Sequence, residues 1–216
     1  MKKTVILILI VLTVQTVFSQ DTAYYSVLRK GINVSNQGYS SENFLELANT
    51  CERIIAVKPG QWLPHYYCAY AYINMSFIEK NTDTKNAYCE KAKTLIEKAF
   101  TINPSESELN VLEALLCYAV MEINPMVNGL IYLPKANKAL EIAKTINPGN
   151  PRIYYLNGKS TMYMPEFLGG GKKAAYPILK QALELYNKFI PETNLHPDWG
   201  KGSTVELLYE CKKENE

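Results

Sequence analysis

Few residues in this chain have the types and spacing that chemistry needs. Gly169-Gly170-Gly171-Lys172 suggests a phosphate cradle, because glycine backbone can wrap an anion where a helix begins. The phosphate-loop pattern, however, needs an earlier Gly and a Ser or Thr after the Lys, and Lys173 follows instead. Helical patterns on both sides make this segment a turn that starts a helix. Two histidines, His65 and His196, stand among five cysteines, Cys51, Cys68, Cys89, Cys117 and Cys211. They match no zinc-ligand spacing, and no two cysteines are arranged CxxC. The first four cysteines lie in apolar helical runs, where a thiol behaves as a small hydrophobe; a disulfide stays open as the alternative. No G-x-S-x-G and no nucleophile–base pair is present. The acids Glu90, Glu97 and Glu113 fall among helical residues and read as solvated. His196-Pro197-Asp198-Trp199 reads as a loop whose Trp packs on the last helices. The sequence therefore points away from an enzyme, and no cofactor or metal is expected.

Tyrosine is the more suggestive residue, 16 in 216. Tyr66, Val111 and Tyr155 occupy equivalent places in successive segments. One helical turn on stand Tyr70, Leu115 and Lys159, and then Ile73, Tyr118 and Met162. Such a stripe suits recognition of a peptide or an apolar ligand, since a Tyr joins a rigid ring to a hydroxyl. It equally suits packing between helices.

An internal repeat sets these positions. Thr-Ile-Asn-Pro occurs at Thr101–Pro104 and again at Thr145–Pro148. Using Pro59, Pro104 and Pro148 as a ruler, Leu47, Ala92 and Ala136 align, as do Cys51, Ile96 and Leu140, and Ile54, Ala99 and Ala143. These fall on one helical stripe. Beyond each proline a second alignment gives Ala69, Ala114 and Gly158. Proline ends each helix, because it lacks an N–H and restricts its predecessor. Ser105–Glu108 has the form of a capping box. The pattern predicts helix pairs over 24–34 with 43–56, 64–79 with 85–101, 108–122 with 135–145, and 152–164 with 172–189, closed by a helix over 204–213. Residues 81–84 and 124–134 are the expected connections. No segment alternates as a strand does. The fold class is all-α, a right-handed solenoid of antiparallel helix pairs.

The small residues and closing prolines resemble the tetratricopeptide repeat (TPR) family over roughly residues 40–190. Ala69, Ala92, Ala99 and Pro104 carry the pattern in one unit, Ala114, Ala136, Ala143 and Pro148 in the next, and Gly158, Ala175 and Ala182 in a third. The period exceeds the usual TPR unit of about 34 residues by roughly ten, which implies lengthened helices or loops. MPEFLGGGKKAAYPILKQAL, with Trp199 beyond it, also resembles the T-component proteins of TRAP transporters, which implies a ligand-accommodating pore. The TPR resemblance implies that first helices line a concave face. That places Tyr66, Tyr70, Val111, Leu115, Tyr118, Tyr155, Lys159 and Met162 at a binding surface. With Lys159 as the one basic residue, a carboxylate clamp for acidic peptide termini is disfavoured.

Residues 1–19 have the basic start, apolar stretch and small-residue junction of a Sec-type signal peptide, leaving 20–216 as a single helical domain. No Cys marks a lipoprotein junction. Without those residues Lys plus Arg equals Asp plus Glu, at 21 of each. A neutral chain with no basic cluster has no electrostatic footprint for nucleic acid and no basic membrane-binding segment. The composition and the junction resemble exported proteins of the Bacteroidetes. The expectation is a periplasmic or secreted protein of a Gram-negative bacterium, without a stable membrane anchor after cleavage. It would be a protein- or peptide-binding scaffold for another envelope protein; the alternative is a carrier of a small apolar ligand in a transport system.

Overall fold

The computed structural model describes residues 24–213. The expected signal peptide lies outside them. Nine α-helices and one 3-10 turn make up the described residues, with no strand among them. In chain order they are α1 (24–35), α2 (Ser41–Val57), α3 (Trp62–Ile78), α4 (Thr82–Ile102), α5 (Ser107–Ile123), α6 (Pro125–Ile146), α7 (Pro151–Tyr163), the 3-10 turn Glu166–Leu168, α8 (Lys172–Tyr186) and α9 (Lys201–Lys213). From α2 to α6, and again from α7 to α9, each helix packs on the next. The first helices α3, α5 and α7 also pack side by side, an inner row behind which α4, α6 and α8 stand. This is a helical solenoid.

The aligned small residues explain the stacking. Ala69, Ala92, Ala99, Ala114, Ala136, Ala143, Ala175 and Ala182 are all fully buried, and so is Leu47. Where Cβ is the whole side chain, two helix backbones approach closely. Gly158 takes this further, because a Cβ there would lie 2.7 Å from the Leu179 side chain of α8. All five cysteines are buried free thiols, the first four of them in the apolar helical runs expected to hold them. Burial pushes the Cys68 thiol up to about 12 and Cys117 to about 11, so neither is a reactive thiolate at neutral pH.

The structure departs from the sequence reading at three joints. Residues 124–134 are not a connection: α6 starts at Pro125 and runs 22 residues, with Pro134 inside it. Asn124 caps it by accepting from the Val127 N–H at 3.4 Å, and Pro125 occupies the first turn, where a missing N–H costs nothing. Asn128 Nδ2 donates to the Val120 carbonyl at 2.7 Å, occupying an acceptor at the end of α5. The surplus of the repeat is therefore helix. Second, Ser105 is not the cap of α5. Glu106 is, accepting from the Glu108 N–H at 3.0 Å, and Glu108 turns into the core instead of reaching back. Third, α8 ends at Tyr186, and α4 starts at Thr82 on an Asn81 cap. In all three Ile-Asn-Pro strings the Ile is the last helical residue, at Ile102, Ile123 and Ile146. The Asn that follows has negative φ each time, so none takes the left-handed conformation.

Candidate functional site

The inner row of α3, α5 and α7 has two ends with different fates. At the N-terminal end the concave face is filled by the chain's own segment between α8 and α9. Trp199 stacks on Tyr70 at 5.2 Å between ring centroids and meets Tyr155 edge-on at 6.2 Å. Its indole N–H donates to the Tyr66 hydroxyl at 2.8 Å, and the Tyr67 hydroxyl donates to the Leu195 carbonyl at 2.9 Å. Tyr186 donates to the Trp199 carbonyl at 3.0 Å. Trp199 thus rests on the earliest of the inner helices as well as the last. Gly200, with φ of 102°, turns the chain into α9 immediately afterwards.

Beneath Trp199 lies a polar network that ties three helices together. Arg152, fully buried at the start of α7, donates through Nη2 to Glu108 Oε1 at 2.6 Å and through Nε to Oε2 at 2.8 Å. Asn150 Nδ2 donates to the same carboxylate at 2.6 Å while its Oδ1 caps α7 at the Arg152 N–H. Tyr66 donates to Glu108 Oε2 at 3.3 Å. Burial first, and the Glu108 carboxylate second, hold the Tyr66 phenol well above its ordinary range, so it stays a neutral donor. The guanidinium also faces the rings of Phe189 at 4.6 Å and Trp199 at 5.9 Å. This end is a tightly linked core, in which Arg152 Nη1 is left without a hydrogen-bond partner.

At the C-terminal end the same three helices leave a cleft of about 460 Å³. Its walls are Phe77 from α3, Leu115, Tyr118 and Met121 from α5, and Leu156, Lys159, Ser160 and Tyr163 from α7. The first turns of α6 supply Gly129, Leu130 and Leu133; the segment after α7 supplies Met164, Pro165 and Leu168. The lining is overwhelmingly apolar and of ordinary ligand-site size. The mouth is apolar too: Leu130, Tyr163 and Leu168 are all exposed. The triple glycine shapes this rim. Gly169 and Gly171 have φ of 84° and 91°, and the Gly171 N–H donates to the Thr161 carbonyl at 2.9 Å, folding the 3-10 turn back onto α7. It is a turn, as expected.

The eight residues of the expected surface divide accordingly. Leu115, Tyr118 and Lys159 line the cleft. Tyr66 and Val111 are fully buried, Tyr155 is buried beside Trp199, and Tyr70 is half-buried beneath its ring. Met162 is buried with its sulfur 3.9 Å from Cys211 Sγ of α9. Tyr70 and Met162 are not in the lining that Tyr118 shares. Sequence reasoning missed Phe77, Met121 and Tyr163, which lie outside the aligned stripe of the expected helices, and Leu130 and Leu133, which fall in the expected connection 124–134. The apolar run Gly129–Leu133 was the available signal.

Within the cleft two polar groups lack ordinary partners. The Tyr118 hydroxyl is buried and makes no hydrogen bond. Burial pushes its pKa up to about 12, moderated by the neighbouring Ser160 side chain. Lys159 Nζ lies 5.6 Å from the centroid of the Phe77 ring. Burial lowers its pKa, and the Glu122 carboxylate partly offsets that. Among the described residues no group of three His, Cys, Asp or Glu side chains could hold a metal ion, and no helix is long and apolar enough to cross a membrane.

A stack of antiparallel helix pairs with small residues at each crossing defines a TPR-like helical protein. Within that class the chain belongs to the regulator of microtubule dynamics protein 1-3 family, whose model matches residues 37–163. Regulator of microtubule dynamics protein 2 from mouse is 30% identical over 183 residues, covering 82% of this chain, and the rat protein is 35% identical over 126 residues, covering 58%. The matched region spans 43% of the mouse protein's length and 29% of the rat protein's. Among solved structures, the HusA haemophore from Porphyromonas gingivalis superposes with a TM-score of 0.80 at 29% identity, covering 91% of this chain and 96% of that one. A TPR protein of Thermus thermophilus gives 0.53 at 18% identity, over 86% and 99% of the two chains, which shows the fold alone.

Proposed function

We propose that this chain is an exported carrier that binds one apolar, haem-sized ligand in the cleft between α5, α6 and α7. The observation that carries the reading is the position of that cleft. It is the apolar opening on a solenoid whose other concave end is filled by its own Trp199. The haemophore likeness supports it over nearly the whole chain. Haem is cargo here, and the walls fit it in kind, with broad apolar surface plus Tyr118, Tyr163, Met121 and Met164, side chains of the types that also ligate haem iron. Export rests on the expected signal over residues 1–19.

A second reading, of a protein partner in the envelope, is favoured by apolar residues outside the cleft lining. Met126 and Phe167 are 88% and 86% exposed, area that a small ligand in the cleft does not cover. The rim around the cleft is the surface such a partner would use, since Tyr66, Tyr70 and Tyr155 are already covered by Trp199.

Titrating the mature protein with haemin and following the Soret band tests the carrier reading. Saturable one-to-one binding is expected for wild type. Leu130→Asp, at an 84% exposed position on the wall, is expected to weaken it by about tenfold or more while the melting temperature stays within about 2 °C. Absence of saturable binding, or equal affinity for L130D, would overturn it.

A further inference from the structure

We propose that the cleft selects an acidic tetrapyrrole, taking a ligand carboxylate on Lys159 with the Tyr118 and Ser160 hydroxyls beside it. This rests on the carrier reading and adds the chemistry of its ligand. Three observations converge. Lys159 is the cation of the lining, and the other charged residue there is Glu122. No carboxylate lies within ion-pair distance of its ammonium, whose nearest recorded partner is the face of Phe77. Such an ammonium, half-buried among Leu115, Leu156 and Phe77, has no ion-pair partner, and a ligand carboxylate entering the cleft would supply one. Third, the Tyr118 hydroxyl is buried in the same wall without a well-formed hydrogen bond, and the Ser160 side chain is its polar neighbour. Ser160 follows Lys159 on α7, and Tyr118 faces them from α5, so the three donors come from two adjacent inner helices. The rest of the wall accepts apolar surface and offers nothing specific, so this group sets which end of an amphiphile enters.

Glu122 completes the selection. Exposed on the same lining, it disfavours an anionic group placed beside its own carboxylate. A ligand with acids along one edge and an apolar body is the shape that satisfies both residues.

Iron-free protoporphyrin IX and its dimethyl ester separate this headgroup recognition from any bond to metal. Both are titrated into wild type, Lys159→Met, Lys159→Arg and Tyr118→Phe, following the Soret band and protein fluorescence. The acid is expected to bind wild type about tenfold more tightly than the ester, the scale of one charge-assisted hydrogen bond. Lys159→Met is expected to erase that preference by weakening the acid alone, Lys159→Arg to keep it, and Tyr118→Phe to reduce it by severalfold. Equal binding of acid and ester to wild type, or a preference that survives in Lys159→Met, overturns the assignment and leaves the carrier reading standing. If neither porphyrin nor haemin binds wild type, the carrier reading falls and this inference with it.

Discussion

The inner helices α3, α5 and α7 are treated oppositely at their two ends. At the N-terminal end the Glu108 carboxylate, the Tyr66 and Tyr67 hydroxyls and the Trp199 indole are all hydrogen-bonded, with Arg152 Nη1 and His65 Nδ1 left over, and Trp199 closes the face. At the C-terminal end an ammonium and a phenol lie unpaired in an apolar cleft with an exposed apolar rim. The two ends share helices and Tyr content, so the difference is not one of composition. It comes from what each end can reach. The segment after α8 returns across the N-terminal end and fills it. At the other end, the lengthened start of α6 and the glycine turn after α7 supply walls without a lid. A solenoid built on one repeat thus holds a filled half and an open half.

The comparison breaks most decisively if the Glu108–Arg152 pair proves dispensable. Arg152→Met leaves the Glu108 carboxylate buried without its guanidinium and is expected to cost about 3–5 kcal/mol in urea unfolding. Removing both charges in Glu108→Leu/Arg152→Met is expected to restore roughly half of that, because an isolated buried charge costs more than a lost pair. A single variant within about 1 kcal/mol of wild type would mean that the filled half does not depend on this pair.

Trp199→Ala sharpens the division from the other side. It deletes the ring stacked on Tyr70 and the donor to Tyr66. The expected loss is about 2 kcal/mol, below that of a fully buried Trp because this ring is half-exposed. Affinity for haemin at the far cleft is expected to be unchanged. Parallel loss of stability and affinity would show that the two ends are coupled. The smallest effect is expected at Gly158→Ala, where a Cβ must push Leu179 aside between α7 and α8. About 1–2 kcal/mol is expected in thermal or urea unfolding, with no change if Leu179 has a free rotamer to move into.

Much of the architecture was readable because it depends on local pattern. The aligned Ala and Gly positions are buried where the ruler placed them, since a helix stripe is fixed by its period alone. The Tyr stripe was read as one surface, and it divides into covered and open parts. Nothing near Tyr66 or Tyr70 in the sequence indicates that Trp199, over a hundred residues later, rests on them. Glu108 shows the same limit. Its spacing after Ser105 is that of a capping box, but Arg152 and Asn150 compete for its carboxylate from another helix, and burial makes that pairing stronger. Asn124–Pro134 failed for a local reason. Asn-Pro that ends one helix here also starts the next, with Pro125 in the first turn of α6 and Pro134 accommodated inside it.

The sequence by itself determined a stack of helix pairs, the residues at each crossing and the helix-ending role of Ile-Asn-Pro. Those follow from periodicity and from proline's missing N–H, which act within a few residues. The tertiary structure alone decided which end of the inner row is filled, which Tyr is covered and which lines the open cleft, and that Lys159 and Tyr118 share one largely apolar wall. These depend on segments far apart in the chain meeting in space, where burial gives each polar group its consequence.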